Sequence, residues 1–203
     1  YHNITPPEFF KDFDHASYHA TLAGINQTQR LVANNRVSKF IAASPYNKRE
    51  LLNLGVPEQR LMVQAPFHQI SEFSKAHESA EVRDRLTQKK VNLLFVGRVV
   101  PNKGHHHLIH ILDRYLRYYG GDVKLHIVGS LALGDPRYFL HLEDLINELR
   151  LGDHIEFRQK VGLDALSTYY RHCDLFVVTS EHEGFCVPIL EAQAHRLPVI
   201  ALD

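Results

Sequence analysis

With 203 residues, 44% of them apolar, the chain can bury the core of one large domain or one and a half α/β domains, which argues against wholesale disorder. Lys plus Arg and Asp plus Glu stand at 23 each, so no basic surplus argues for nucleic acid or an anionic membrane as the main partner. The two cysteines, Cys173 and Cys186, lay out no disulfide framework and read as free thiols, and no run reaches the roughly 18–20 apolar residues of a membrane span.

Tyr1-His2-Asn3-Ile4-Thr5-Pro6-Pro7 has neither the basic start nor the apolar stretch of a signal peptide. A start without Met and an end just after an apolar run read as cut ends of a longer, two-domain protein. Helical spacing covers about residues 16–32, a strand follows at 38–43, and Ser44-Pro45 opens a helix that Gly55 closes. Arg60–Val63 is a short strand. This early part reads as the tail of one α/β domain. Residues 69–90 are polar and charged and read as a linker plus a surface helix.

From Val91 onward, strand and helix signals alternate. Val91–Val96, Val123–Val128, His154–Phe157, Asp174–Val178 and Pro198–Leu202 are short runs rich in Val, Ile, Leu and Phe. Between them, helical periodicity runs through Leu108–Leu116, Pro136–Leu149, Leu163–Arg171 and Val187–His195. Strands separated by helices imply crossovers and a parallel, Rossmann-like sheet, whose ligands bind at the carboxyl ends of strands. The expected division is 1–75 for the truncated first domain with its linker and 76–203 for the second. The loops to watch are 97–104, 129–135, 158–162 and 179–185.

Two of these loops carry chemistry. Gly97-Arg98-Val99-Val100-Pro101-Asn102-Lys103-Gly104 ends a strand and begins a helix. Backbone N–H groups at a helix start and two cations can cradle a diphosphate, Arg98 by a bidentate fork and Lys103 as a mobile point charge. A solvated loop with two surface cations is the competing reading. Neither a G-x-G-x-x-G fingerprint nor a Walker loop is present, which counts against a dehydrogenase and a nucleoside triphosphatase. The second loop is Ser180-Glu181-His182-Glu183-Gly184-Phe185-Cys186, with Glu191 two turns into the next helix. Gly184 lets backbone approach a ligand, the N–H groups of Phe185 and Cys186 open the helix, and a carboxylate suits vicinal hydroxyls.

Both elements together resemble the donor domain of retaining glycosyltransferases of family 4, which have the GT-B fold. The Gly-Arg-x4-Lys-Gly element is Gly97, Arg98, Lys103 and Gly104; the Glu-x7-Glu element is Glu183 and Glu191. The likeness is strong from about Val91 to Asp203 and weaker earlier, where His2 stands at the place of an acceptor-side histidine facing the donor sugar. The resemblance implies sugar transfer from a nucleotide diphosphate sugar, UDP- or GDP-linked, to a glycan or lipid-linked hydroxyl with retention of configuration, in cell-surface polysaccharide or glycoconjugate synthesis. It implies that Arg98 and Lys103 hold the diphosphate and that Glu183 contacts the sugar. Glu191 would bind the ribose; Gly97, Gly184, Phe185 and Cys186 would line the donor, and the backbone near Val161 would flank the base. Many relatives carry Gly where Cys186 stands.

No cofactor and no metal are expected, the Arg–Lys cradle standing in for a divalent ion, and a cytoplasmic enzyme with peripheral membrane contact through a preceding part is implied. His105, His106, His107 and His110 look like a metal cluster, but adjacent helical residues diverge by about 100° and no carboxylate completes a set at usual spacing. Cys173 reads as a buried structural thiol. Rival readings are a GT-B-fold sugar-nucleotide epimerase or phosphorylase, and a non-catalytic nucleotide-sugar-binding subunit. The 203-residue piece by itself is expected to transfer sugar poorly or not at all.

Overall fold

The structure is a computed structural model and describes residues 1–202 except 35, 67, 69, 90 and 132–135. The last four complete the loop 129–135, so that part of the expected ligand loop lies outside the described residues. The chain forms two compact units, Tyr1–His68 with His182–Cys186, and Gln69–Glu181 with Val187–Asp203.

In the first unit, α1 (His15–Ala33) is capped by Asp14, whose side chain accepts from Ser17 N at 3.0 Å. No residue of α1 is buried, and Leu22 and Leu31 are exposed. β1 (Phe40–Ala42) leads through the Ser44 cap and Pro45 into α2 (Pro45–Asn53). Gly55, at φ 92°, ends that helix, and β2 (Leu61–Val63) returns parallel to β1. Ala42, Leu51, Val56 and Leu61 make the core between them, with Tyr1, Val32 and Phe40 against its rim.

The second unit begins with two short helices, α3 (Ile70–Phe73) and α4 (Ala80–Leu86). Polarity makes this stretch read as linker plus one surface helix. Instead Phe73, Val82 and Leu86 are buried, and α3 and α4 both pack on α7 (below). Phe73 anchors α3, and Val82 and Leu86, four residues apart, anchor α4, which overall composition conceals.

β3 (Val91–Val96), α5 (His105–Tyr119), β4 (Val123–Val128), α6 (Arg137–Glu148), β5 (Ile155–Arg158), α7 (Leu163–His172), β6 (Leu175–Val178), α8 (Val187–Ala194) and β7 (Val199–Ala201) follow in turn. All five strands are parallel, in the order β5-β4-β3-β6-β7. Right-handed crossovers put helices that step one way along the sheet on one face and those that step back on the other. The packing agrees: α5 lies on α6, while α3 touches both α7 and α8. Leu94, Phe95, Leu125, Ile127 and Phe176 fill the sheet's interior and are all but sealed from water. Because β4 and β6 flank β3, the chain reverses its direction of travel between β3 and β6. No helix among the described residues is long and apolar enough to cross a membrane.

Candidate functional site

The loop after β3 has little freedom. Gly97 N donates to Val128 O and Val99 N to Ser130 O, both at 3.0 Å. Arg98 therefore sits between two sheet-type bonds, with its side chain exposed and without an ion-pair partner among the described residues. A one-turn 3-10 helix, Pro101–Lys103, brings half-buried Lys103 to the start of α5. Gly104 opens α5 at φ 64°. A Cβ on Gly104 would stand 2.1 Å from Thr179 O, so only glycine lets the two strand ends come this close.

The loop after β6 meets it there. Thr179 Oγ1 donates to Gly104 O at 2.9 Å, and Glu181 N donates to Asn102 O at 2.9 Å. These bonds join the ends of β3 and β6 across the point where the sheet's winding reverses, where open α/β sheets hold ligands. Val161 lies half-buried in the turn between β5 and α7, on the same carboxyl edge.

The next residues of this loop belong to the first unit. Asn3 Nδ2 donates to Glu183 O at 3.3 Å and meets His182 Nε2 at 3.0 Å. Gly184 is buried so tightly that a Cβ would stand 2.5 Å from Asn3 Oδ1 and 3.0 Å from the His2 ring. His2, Glu183 and Gly184, distant in sequence, thus share one place. Half-buried Phe185 comes next, and Cys186, at φ 60°, adopts the left-handed backbone that favours glycine. The same unit holds a cleft of about 490 Å³ whose lining includes Tyr1, Ile4, Leu22, Tyr46, Glu50 and His182. Burial first, and then Glu50, push the Tyr1 phenol up to about 12.

On α8, Glu191 is half-buried and held. Tyr170 Oη donates to Glu191 Oε2 at 2.8 Å. Tyr170 is itself sealed among Phe73, Phe176 and His195, stacking on the last at 5.2 Å.

Residues 78–203 match the family described as Glycosyl transferases group 1. The chain belongs to this family. Among relatives, a D-inositol 3-phosphate glycosyltransferase of Geodermatophilus obscurus is 31% identical over 172 residues, covering 80% of this chain and 37% of its own length. One from Kineococcus radiotolerans is 29% identical over 170 residues, 80% of this chain and 39% of that protein. The chain thus spans well under half the length of these curated relatives. In structure it resembles GT-B glycosyltransferases. Anabaena Alr3699/HepE in complex with UDP-glucose superposes with a TM-score of 0.73 at 23% identity, over 98% of this chain and 51% of that one. Sucrose-phosphate synthase from Thermosynechococcus elongatus gives 0.70 at 22%, over 99% and 48%.

Three features of this glycosyl transferase chain escape a reading by spacing. Tyr170, the partner of Glu191, is apolar-looking within α7, and nothing local marks its hydroxyl. Thr179 could have been noticed as the first hydroxyl past a buried strand. The carboxylate missing near the histidine run is Glu181, which comes from the loop after β6: it lies 3.3 Å from His107 Nε2 and 3.8 Å from His106 Nε2. His105 points the other way, fully buried against Phe95. Burial, then the charge of Lys103, hold its imidazole down at about 3, so it stays neutral. Neither Cys173 nor Cys186 is in a disulfide among the described residues, and burial pushes Cys173 up.

Proposed function

We propose that this chain carries the donor side of a retaining glycosyltransferase that uses a UDP-sugar, with a glycan or lipid-linked hydroxyl as acceptor. The observation that carries the reading is the joint between Gly104 and Thr179 at the reversal of the sheet. It sets a basic loop and a helix N-terminus at one carboxyl edge, the place where a dinucleotide-like ligand binds. Family membership and the UDP-glucose complex of Anabaena HepE support the choice of donor.

In this reading the Arg98 fork and the Lys103 ammonium take the diphosphate oxygens and stabilise negative charge as the sugar leaves. Glu191, oriented by Tyr170, accepts from two ribose hydroxyls. Glu183 contacts the transferred sugar, and Phe185 and Cys186 offer backbone N–H groups. The backbone at Val161 flanks the base, and Gly97 lets the chain turn under the phosphates. His2 acts on the acceptor side. Arg98 and Lys103 neutralise the leaving group without a metal or other cofactor. Synthesis of cell-surface glycans from the cytoplasmic side is the setting that fits this chemistry.

The test is thermal unfolding with UDP, GDP and ADP. A ligand at a hundredfold its Kd adds about 2.7 kcal/mol. UDP is expected to raise the midpoint by several degrees, and Lys103→Ala with Arg98→Ala to remove the rise. A preference for GDP or ADP, or a UDP shift that survives both substitutions, defeats the assignment.

A further inference from the structure

His106 and His107 stand at the start of α5, and Glu181 reaches them from the end of β6. Their three ligand atoms, Nε2, Nε2 and Oε1, lie within 4.8 Å of one another. The separations from Glu181 Oε1, 3.3 Å to His107 and 3.8 Å to His106, are longer than good N–H···O bonds, which run about 2.7–3.2 Å. A tetrahedron whose donors stand about 2.0–2.1 Å from its centre has edges of about 3.3 Å. One edge is therefore already formed, and a small turn of the half-exposed His106 ring closes the next.

The surroundings fit the same purpose. His106 Nδ1 meets the buried Tyr138 hydroxyl at 3.3 Å, which leaves Nε2 facing Glu181. Metal-bound histidines are commonly oriented by a partner on their other nitrogen in this way. The two imidazoles lie 4.0 Å apart, a poor arrangement for two cations. Glu181 is delivered by its own backbone bond to Asn102. A cleft of about 630 Å³, lined among others by His107, His110, Thr179 and Glu181, opens the group to solvent.

The geometry points to a zinc-class divalent metal site made by His106, His107 and Glu181, with water in the fourth position, that clasps the start of α5 to the end of β6. Two imidazoles and one carboxylate are a donor set that zinc accepts. The ion would sit behind the Gly104–Thr179 joint and brace it. It is distinct from the neutralisation of the diphosphate by Arg98 and Lys103, and it stands whatever donor the enzyme uses.

The experiment is calorimetric titration of the chelator-stripped full chain with zinc chloride, paired with visible absorption of the cobalt-loaded chain. We expect one saturable zinc per chain, a higher unfolding midpoint with zinc, and the strong ligand-field bands of a four-coordinate cobalt site. Glu181→Gln and His107→Ala should each weaken zinc binding by about tenfold or more, because each removes a direct ligand where even second-shell losses cost that much. Glu181→Gln keeps the shape of the side chain; should it unfold the protein, His107→Ala, on a half-exposed position, carries the test. Absence of saturable binding, or binding unchanged in both variants, overturns the site.

Discussion

The two units use the same grammar of capped helices and short parallel strands, with very different amounts of core behind it. In the second, five strands lie between two groups of helices, and Leu94, Ile127, Leu142 and Phe176 are sealed from water. In the first, the apolar cluster between two strands and one helix is Ala42, Leu51, Val56 and Leu61, while the 19-residue α1 has no buried residue. A well-capped helix is not thereby a stable one, because a helix in water draws most of its stability from packing. The contrast locates rigidity in the second unit, around the joint of β3 and β6.

Two glycines measure that difference most directly. Gly104 and Gly55 both have left-handed backbones, at φ 64° and 92°. A Cβ on Gly55 meets nothing within 4 Å, whereas one on Gly104 would collide with Thr179 O. Gly55→Ala should therefore cost only the backbone term, about 1–2 kcal/mol. Gly104→Ala should cost roughly 3 kcal/mol or more and open the second unit, as large losses follow from strain and clash in a packed site. Denaturant melts of the two variants check this, and equal losses would erase the contrast.

A smaller effect comes from His105. Its folded value of about 3 lies below the usual imidazole value of about 6.5. Between those limits the unfolded chain binds a proton that the native chain does not, so stability falls as pH drops through that window. Its neighbours are the Lys103 charge, the His106 imidazole, the Val100 backbone and the rings of Phe95 and Tyr138. His105→Leu should flatten that part of the pH dependence in thermal melts from about pH 7 to pH 4. An unchanged slope would show that the ring is not the acid-sensitive group of the second unit.

The smallest expected effect lies in the first unit. Cys186 holds φ 60° where glycine is at ease. Cys186→Gly should leave stability level or raise it by up to about 1 kcal/mol, since relief of strain competes with the greater freedom of an unfolded glycine. A loss above about 1 kcal/mol in urea melts would mean that the thiol makes packing contacts worth more than the strain.

Local pattern decides much of this molecule. Val91–Val96 and Val123–Val128 read as strands at those bounds, and the strand–helix–strand pattern of 38–43, the helix opened by Ser44-Pro45 and 60–63 matches β1, α2 and β2 within a few residues. Alternation of strand and helix implied the parallel sheet, and family motifs marked the loops at its carboxyl edge. Residues 69–90 read as a linker plus one surface helix; the second helix and the burial of both stayed hidden because three buried side chains are too few to shift the polarity of a 22-residue stretch. The strand order, with β3 between β4 and β6, does not follow from periodicity, since each strand looks alike from its own residues.

By itself, then, the sequence determined the alternation of strands and helices from Val91 onward, where glycines permit sharp turns, and which loops carry the cations and carboxylates. Only the tertiary structure decided the partners: Thr179 with Gly104, Tyr170 with Glu191, Asn3 with Glu183, and Glu181 with His106 and His107. The physical reason is range. Backbone geometry and periodicity act over a few residues and are written locally, whereas a hydrogen bond or ligand set between distant segments exists only after the sheet has chosen its neighbours.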